Sequence, residues 1–333
     1  MKISDLGERT LIKKIAQLAA KTVSPDMVGI GDDAAVTRLS QGSWLVTSKD
    51  LLVEGIHFLL PEISAQDLGH KSLAVNLSDL AAMGSIPRQV YVALALPAHL
   101  DSEFVLAFYE GLTALAEHFK VAVCGGDTVA SPGPLVVSIT AQGEVRREEV
   151  LLRSGAQPGD VLCTTGPLGA SAAGLLLLQA DIDCPTALRR SALQAHYRPW
   201  PRVEEGLWLA RQGVVTAAID ISDGLLKDVQ EICEASRCGV LLREEKIPTH
   251  PVAEALAPLY NQAPLTLALN GGEDYELLFT VPRHAFSALA QAYQERFQTP
   301  IYMLGEMTQE RKVQMITKEG NWEKLEFTGY QHF

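Results

Sequence analysis

Apolar and polar positions alternate with two periods along this chain, and the periods take turns. Leu73, Ala74, Leu77, Leu80 and Ala81 recur at helical spacing in the stretch KSLAVNLSDLAAMG, Lys71 to Gly84, so the stretch is predicted as a helix. Residues 9–21 read as a short amphipathic helix. Residues 102–119 read as a longer one, with Phe104, Ala107, Phe108, Gly111, Leu112 and Leu115 inward. Between these helices lie short β-rich runs at 28–36, 44–48, 88–97, 121–128 and 135–145. A charged, turn-rich segment, RREEVLLRSGAQPGD over 146–160, follows and is read as a domain boundary. The alternation then restarts: strands at 161–165, 216–221, 238–242 and 300–305, helices at 170–180, 186–196, 202–212, 225–235, 251–258 and 283–295. The expected fold is therefore α/β with mixed sheets and two related halves, residues 1–145 and 146–306, followed by a hairpin tail over 307–333.

Length agrees with two units, since 333 residues exceed what one core usually serves. Lys plus Arg number 28 against 40 Asp plus Glu, a net charge of −12. Nucleic acid and anionic membrane both select basic surface, so neither is an expected partner. An anionic small substrate stays compatible if metal ions screen it. The five cysteines show no C-x-x-C spacing and read as reduced thiols of a cytoplasmic protein. The opening MKISDLGERTLIKK carries no apolar signal core, and the longest apolar run, 168–178, is too short for a bilayer.

The candidate chemistry lies in acids placed where acids are costly. Asp79 interrupts the apolar wall of its helix, with Asn76 and Met83 on the same face and no Lys or Arg within one turn. Val28-Gly-Ile-Gly-Asp-Asp-Ala-Ala-Val36 reads as a strand running into a turn that displays Asp32 and Asp33. Asp50 follows the strand at 44–48, and Asp127 follows the glycine pair 125–126, read as a glycine–acid turn at the end of the strand that opens at Val121. Asp220 and Asp223 stand in DISDG, where Ser222 or Asp223 could equally cap the next helix. The loop Gly166-Pro-Leu-Gly169 before a helix is a weak anion-site signal. Converging carboxylates repel, by roughly 4 kcal/mol for two of them about 4 Å apart at a surface-like dielectric. With no matching basic cluster, such a set suits a hard cation, Mg²⁺ above all, and a metal–nucleotide phosphoryl transfer site without a P-loop.

Taken together, GIGDDAAV, TSKDLLVEGIHF, KSLAVNLSDLAAMG, GGDT, RSGAQPGD, DISDGL, GGEDYELLFTVP and the ending GYQHF closely resemble the thiamine-monophosphate kinase family, over nearly the whole chain. The resemblance implies the two-domain ATP-binding fold shared with aminoimidazole ribonucleotide synthetase, selenophosphate synthetase and a hydrogenase maturation factor. In that fold the N-terminal domains pair into a dimeric β-barrel, so a homodimer is implied. It implies transfer of a phosphoryl group from ATP to thiamine monophosphate, giving thiamine diphosphate. It implies Mg²⁺ ligands at Asp33, Asp50, Asp79, Asp127, Asp220 and Asp223. ATP contacts are implied at Tyr109, Gly126, Asp127, Arg153 and Ser222, and substrate contacts at His57, Glu273 and Tyr330. No general base is expected, because a phosphate monoester is already largely ionised at pH 7. Lys49 departs from the family's usual Thr beside Asp50: a metal contact through that side chain would be lost, and one through the backbone would survive. Three alternatives remain open at this point: another activity of the same superfamily, a non-catalytic Mg-nucleotide-binding scaffold, and a two-metal phosphatase. The absence of Cys before position 124 speaks against a selenophosphate synthetase.

Overall fold

The computed structural model describes residues 27–324 except 41, 61 and 181, together with Thr10 and Lys13. The helix expected over 9–21 lies outside the described residues but for those two helical positions, and Tyr330 lies outside them altogether. Two mixed sheets carry the described chain. The first has five strands in the order β1-β2-β5-β3-β4: β1 Ala35–Ser40, β2 Ser43–Val53, β3 Ile86–Pro97, β4 Ala122–Ser131 and β5 Val136–Arg146. Only β3 and β4 run parallel, joined by helix α2, Ser102–Phe119. The second has seven strands in the order β12-β11-β8-β10-β6-β9-β7. These are β6 Asp160–Thr164, β7 Ala217–Asp220, β8 Gly239–Arg243, β9 Leu277–Pro282, β10 Tyr302–Thr308, β11 Val313–Ile316 and β12 Trp322–Lys324. Here β8 and β11 are the parallel pair.

Helix α1, Ala65–Ala82, lies between the sheets and touches β2 and β5 of the first and β7 of the second. It begins six residues earlier than the apolar periodicity suggested, because Ser64 caps it by accepting from Asp67 N–H at 3.1 Å. Its neighbours approach closely through glycine. A Cβ on Gly69 would stand 1.9 Å from the Phe108 carbonyl oxygen, and one on Gly111 1.9 Å from that of Gln66. With α2 on one side and α5, Val203–Gln212, on another, α1 is buried nearly all round. One hydrophobic cluster therefore runs from Leu52, Leu77 and Ile139 through to Val161 and Phe279, across both sheets. Burial leaves the polar side chains of α1 in need of partners. His70 Nε2 meets the Pro199 carbonyl at 2.8 Å, and Asn76 donates to Ser72 O while accepting from Asp50 N–H at 3.2 Å.

Helices α3, Ala170–Gln179, α4, Thr186–Tyr197, and α6, Leu225–Ser236, come at the expected places. Three local expectations change. The strand beside Asp32 and Asp33 follows them, as β1, and Val28 only bridges back to Val36. Asp50 lies within β2, which continues to Val53. Gly125-Gly126-Asp127 is likewise inside a strand, β4, at the exposed edge of the first sheet. A Cβ on Gly126 would lie 1.7 Å from the Val92 carbonyl oxygen, so these glycines serve close strand pairing rather than a turn.

Candidate active site

Four segments deliver acids to one place beside α1. Asp33, Asp79 and Asp220 offer carboxylate oxygens that all lie within 4.8 Å of one another. Asp79 comes from α1, Asp33 from the segment before β1, and Asp220 from the end of β7. Asp50 adds its charge from β2, since it is among the groups that raise the Asp79 carboxyl. Serine hydroxyls aim these acids: Ser48 of β2 donates to Asp79 Oδ2, and Ser78 of α1 donates to Asp220 Oδ2. Both serines are buried, and sequence reasoning passed over them. The available signal was a small hydroxyl at an inward strand position, two residues from Asp50, and another directly before Asp79.

The electrostatics follow from burial and crowding. Burial pushes Asp79 well above the usual carboxylate range, and Asp50, Asp220 and Asp33 push further. Asp220 rises to about 7, chiefly by burial and then by Asp33. Asp50 rises to about 6 through burial. Arg153 offsets part of this. Burial disfavours its charge, but its Nη2 lies 2.7 Å from Asp33 Oδ1 and its Nη1 3.7 Å from Glu231. Its backbone N–H donates to both oxygens of Asp32, at 3.2 and 3.3 Å. Asp33 Oδ2 nonetheless remains buried with no hydrogen-bond partner. An orphaned carboxylate oxygen inside a set of crowded carboxylates is the arrangement a divalent cation relieves, so these residues fit a hard metal ion.

The other residues singled out by sequence are distributed around this centre. Asp223 pairs with Lys227 at 2.5 Å and stands outside the three-carboxylate group. Neither it nor Ser222 caps α6; Asp228, in the first turn, reaches back to the N–H groups of Ser222, Asp223 and Gly224 at 3.1–3.2 Å. Asp127 pairs in register with Ala93, so it shares the sheet face of Tyr91 and Lys49, away from Ser48 and Asp50. The structure does not bring it to the other acids within the chain. Lys49 also points outward, donating to Thr140 Oγ1 at 3.3 Å. Tyr109 is half-buried on α2, edge-on to Phe108. His57 accepts from Val53 N–H at 3.0 Å and is close enough to Glu273 to help lower its carboxyl. Glu273 belongs to the loop that leads into β9, where Glu273 and Tyr275 both adopt left-handed backbone, φ 64° and 51°. Glu273 N–H donates to Ser222 O at 2.7 Å, a closeness that Gly272 permits, since a Cβ there would lie 2.6 Å from the same oxygen. The weak anion site before α3 is filled from within: Asp274 accepts from Gly169 N–H at 2.7 Å and Ser171 N–H at 3.4 Å.

Comparison with known proteins agrees with this architecture. The model for the AIR synthase related protein, N-terminal domain, matches residues 31–145, and that for the AIR synthase related protein, C-terminal domain, matches 157–318. The thiamine-monophosphate kinase of Bacillus subtilis (strain 168) is 38% identical over 331 residues, 98% of this chain and 100% of the relative. The chain belongs to the thiamine-monophosphate kinase family. The Escherichia coli (strain K12) member is likewise 38% identical, over 329 residues and 98% of each chain. Among solved structures, AaThiL complexed with AMPPCP and TMP superposes with a TM-score of 0.87 at 31% identity, covering 100% of this chain and 99% of that one. E. coli HypE, a hydrogenase maturation protein, shares the fold at 20% identity and a TM-score of 0.71. As a member of the kinase family, the chain is an enzyme, a phosphotransferase.

Proposed function

We propose that this chain transfers the γ-phosphoryl group of ATP directly to the phosphate of thiamine monophosphate, in line and with Mg²⁺, giving thiamine diphosphate. One observation carries the reading: three carboxylates from distant segments lie within 4.8 Å, with one of their oxygens buried and unpartnered. Asp33, Asp79 and Asp220 would hold the metal with Asp50 beside them, and Asp127 and Asp223 would serve as further Mg²⁺ ligands outside that group. Bound there, Mg²⁺ would screen and polarise the phosphates. The chain's own work is positioning. Ser48 and Ser78 keep two of the carboxylates aimed inward. Arg153, beside Asp33, would meet nucleotide phosphate, with Tyr109, Gly126 and Ser222 as further nucleotide contacts. No side chain need remove a proton, because the acceptor phosphate is already ionised at neutral pH. His57 and Glu273 would hold the thiamine end, Glu273 offsetting its positive ring, and Tyr330 would stack against it.

The reading includes a homodimer in the cytoplasm, built on a first unit of residues 1–145 and a second of 146–306, with 307–333 reaching the substrate. Exposed Leu51, Tyr91 and Val129 on the outward face of the first sheet support burial against a second copy. Asp127 stands on that same face, so its contacts in this reading are made where the copies meet. Incubation with ATP, Mg²⁺ and thiamine monophosphate tests the reading: thiamine diphosphate should form, and a chelator should stop it. Phosphate release without ATP would point instead to a phosphatase. Nucleotide binding without product would leave only a scaffold.

A further inference from the structure

Lys71 is the least expected charge in the molecule. It sits on α1 two turns before Asp79, and its side chain is 1% exposed. A buried ammonium is costly unless it is paired and hydrogen-bonded. Its Nζ lies 2.9 Å from Glu273 Oε1 and 3.0 Å from Glu273 Oε2, so one cation spans both carboxylate oxygens. His196 of α4 adds its Nδ1 at 3.3 Å from Oε2, and that same nitrogen meets Ser171 Oγ at 3.0 Å. The Glu273 side chain is 29% exposed, so these contacts leave part of it within reach of solvent. Its backbone is left-handed, at φ 64°, so its direction is a costly choice that these contacts hold in place.

We infer that Lys71 is a positioning residue for the phosphoryl acceptor: it fixes the partly exposed Glu273 carboxylate, in its anionic form, as a receptor for a cationic or amine-bearing group on the substrate. This rests on the reading that Glu273 faces the substrate. The charges around Glu273 are Lys71, His196 and His57, with the buried Tyr275 hydroxyl nearby. Burial by itself would lift the Glu273 carboxyl, but Lys71, then His196 and His57, hold it below the usual range. His196 itself is lowered to about 4, by burial and then by Lys71, so the ammonium that touches both oxygens is the dominant cationic partner of Glu273. Without Lys71, burial prevails and the carboxylate takes up a proton at higher pH.

The test compares wild type, Lys71→Met, Glu273→Gln and the double variant, using thiamine monophosphate and ATP as the probes. Lys71→Met should raise KM for thiamine monophosphate about tenfold or more, as expected for losing the support of a charged hydrogen bond, and leave KM for ATP nearly unchanged. Its acid limb in kcat/KM for thiamine monophosphate should move toward neutral pH relative to wild type. Glu273→Gln should raise the same KM without that movement, and the double variant should match it, because Lys71 acts through Glu273. Lys71→Arg should recover part of the affinity. A folded Lys71→Met with wild-type KM and acid limb overturns the inference. If Glu273→Gln leaves KM untouched, the substrate-facing reading of Glu273 fails and takes this inference with it. If Glu273→Gln raises KM and Lys71→Met does not, only the inference about Lys71 fails. Should Lys71→Met not fold, the double variant leaves no unpaired charge; a KM equal to that of Glu273→Gln supports the inference, and a further rise overturns it.

Discussion

Ser78 donates its hydroxyl proton to Asp220, 142 positions further along the chain. The bond ties α1 to the end of β7, and so ties the helix between the sheets to an edge strand of the second sheet. Its neighbour Asp79 is held in the opposite sense, by Ser48 of the first sheet. Two consecutive residues of one helix thus address the two halves of the molecule, and the acid cage forms where they do so.

Asp79→Asn should keep the fold and lose turnover by about a hundredfold or more, the scale of several kcal/mol of charge stabilisation. Removing one of several crowded carboxylates also relieves repulsion. Thermal unfolding in the absence of metal should therefore be unchanged or later. Normal unfolding with a near-native rate would remove Asp79 from the metal site.

The cage should make metal-free protein less stable as pH rises. Asp220 and Asp50, at about 7 and about 6 in the folded chain, sit above the unfolded value of about 3.9. Raised carboxyls bind more protons folded than unfolded. Their destabilisation is absent below about pH 4 and complete above about pH 7. Wild type minus Asp220→Asn isolates the term: the difference in unfolding free energy, measured with chelator present, should fall between pH 5 and 7.5. Mg²⁺ should remove the fall, and its affinity should rise with pH over the same window. A difference that is flat or rises with pH would contradict this account.

Ser48→Ala and Ser78→Ala should each slow turnover by about tenfold with little change in substrate KM, since the hydroxyls orient ligands rather than touch substrate. Unaltered Mg²⁺ dependence and rate in both variants would reduce these bonds to packing.

Lys49→Thr should change kcat by no more than about twofold, because the Lys49 side chain reaches none of the three gathered carboxylates. The Lys49 side chain lies on the outward face of β2, against Thr140, while Ser48 and Asp50 point the other way. A large gain in rate on restoring Thr would place this position in the metal site.

Arg202→Met should cost about 3 kcal/mol or more of unfolding free energy. Arg202 grips both oxygens of the buried Glu276, which also accepts from Thr165 Oγ1 at 2.6 Å. Removing the guanidinium strands that carboxylate. Denaturant unfolding would show the loss, and an unchanged midpoint would refute it.

Several features could be read from the residues themselves. Asp79 announced itself as an acid inside an apolar helical stripe, and the paired, mixed sheets followed from alternating periods. Other features could not. Gly125-Gly126 resembles turn chemistry but lies in an edge strand, because glycine serves close backbone approach as well as it serves a turn. The glycine loop before α3 looked open to an external anion, and Asp274, 105 positions away, fills it. Lys71 passed as an ordinary helix residue because nothing local distinguishes a buried lysine from an exposed one.

By itself, then, the amino-acid sequence determined the element types, the mixed α/β class, the family and most of the acids worth suspecting. These depend on periodicity, turn chemistry and residue type, which are written locally. Only the tertiary structure decided which acids meet, that Asp127 faces away from them, and that Lys71 finds Glu273 across 202 positions. Hydrophobic pattern encodes which face of an element is buried, not what it is buried against, and partners are chosen only when sheets and helices pack.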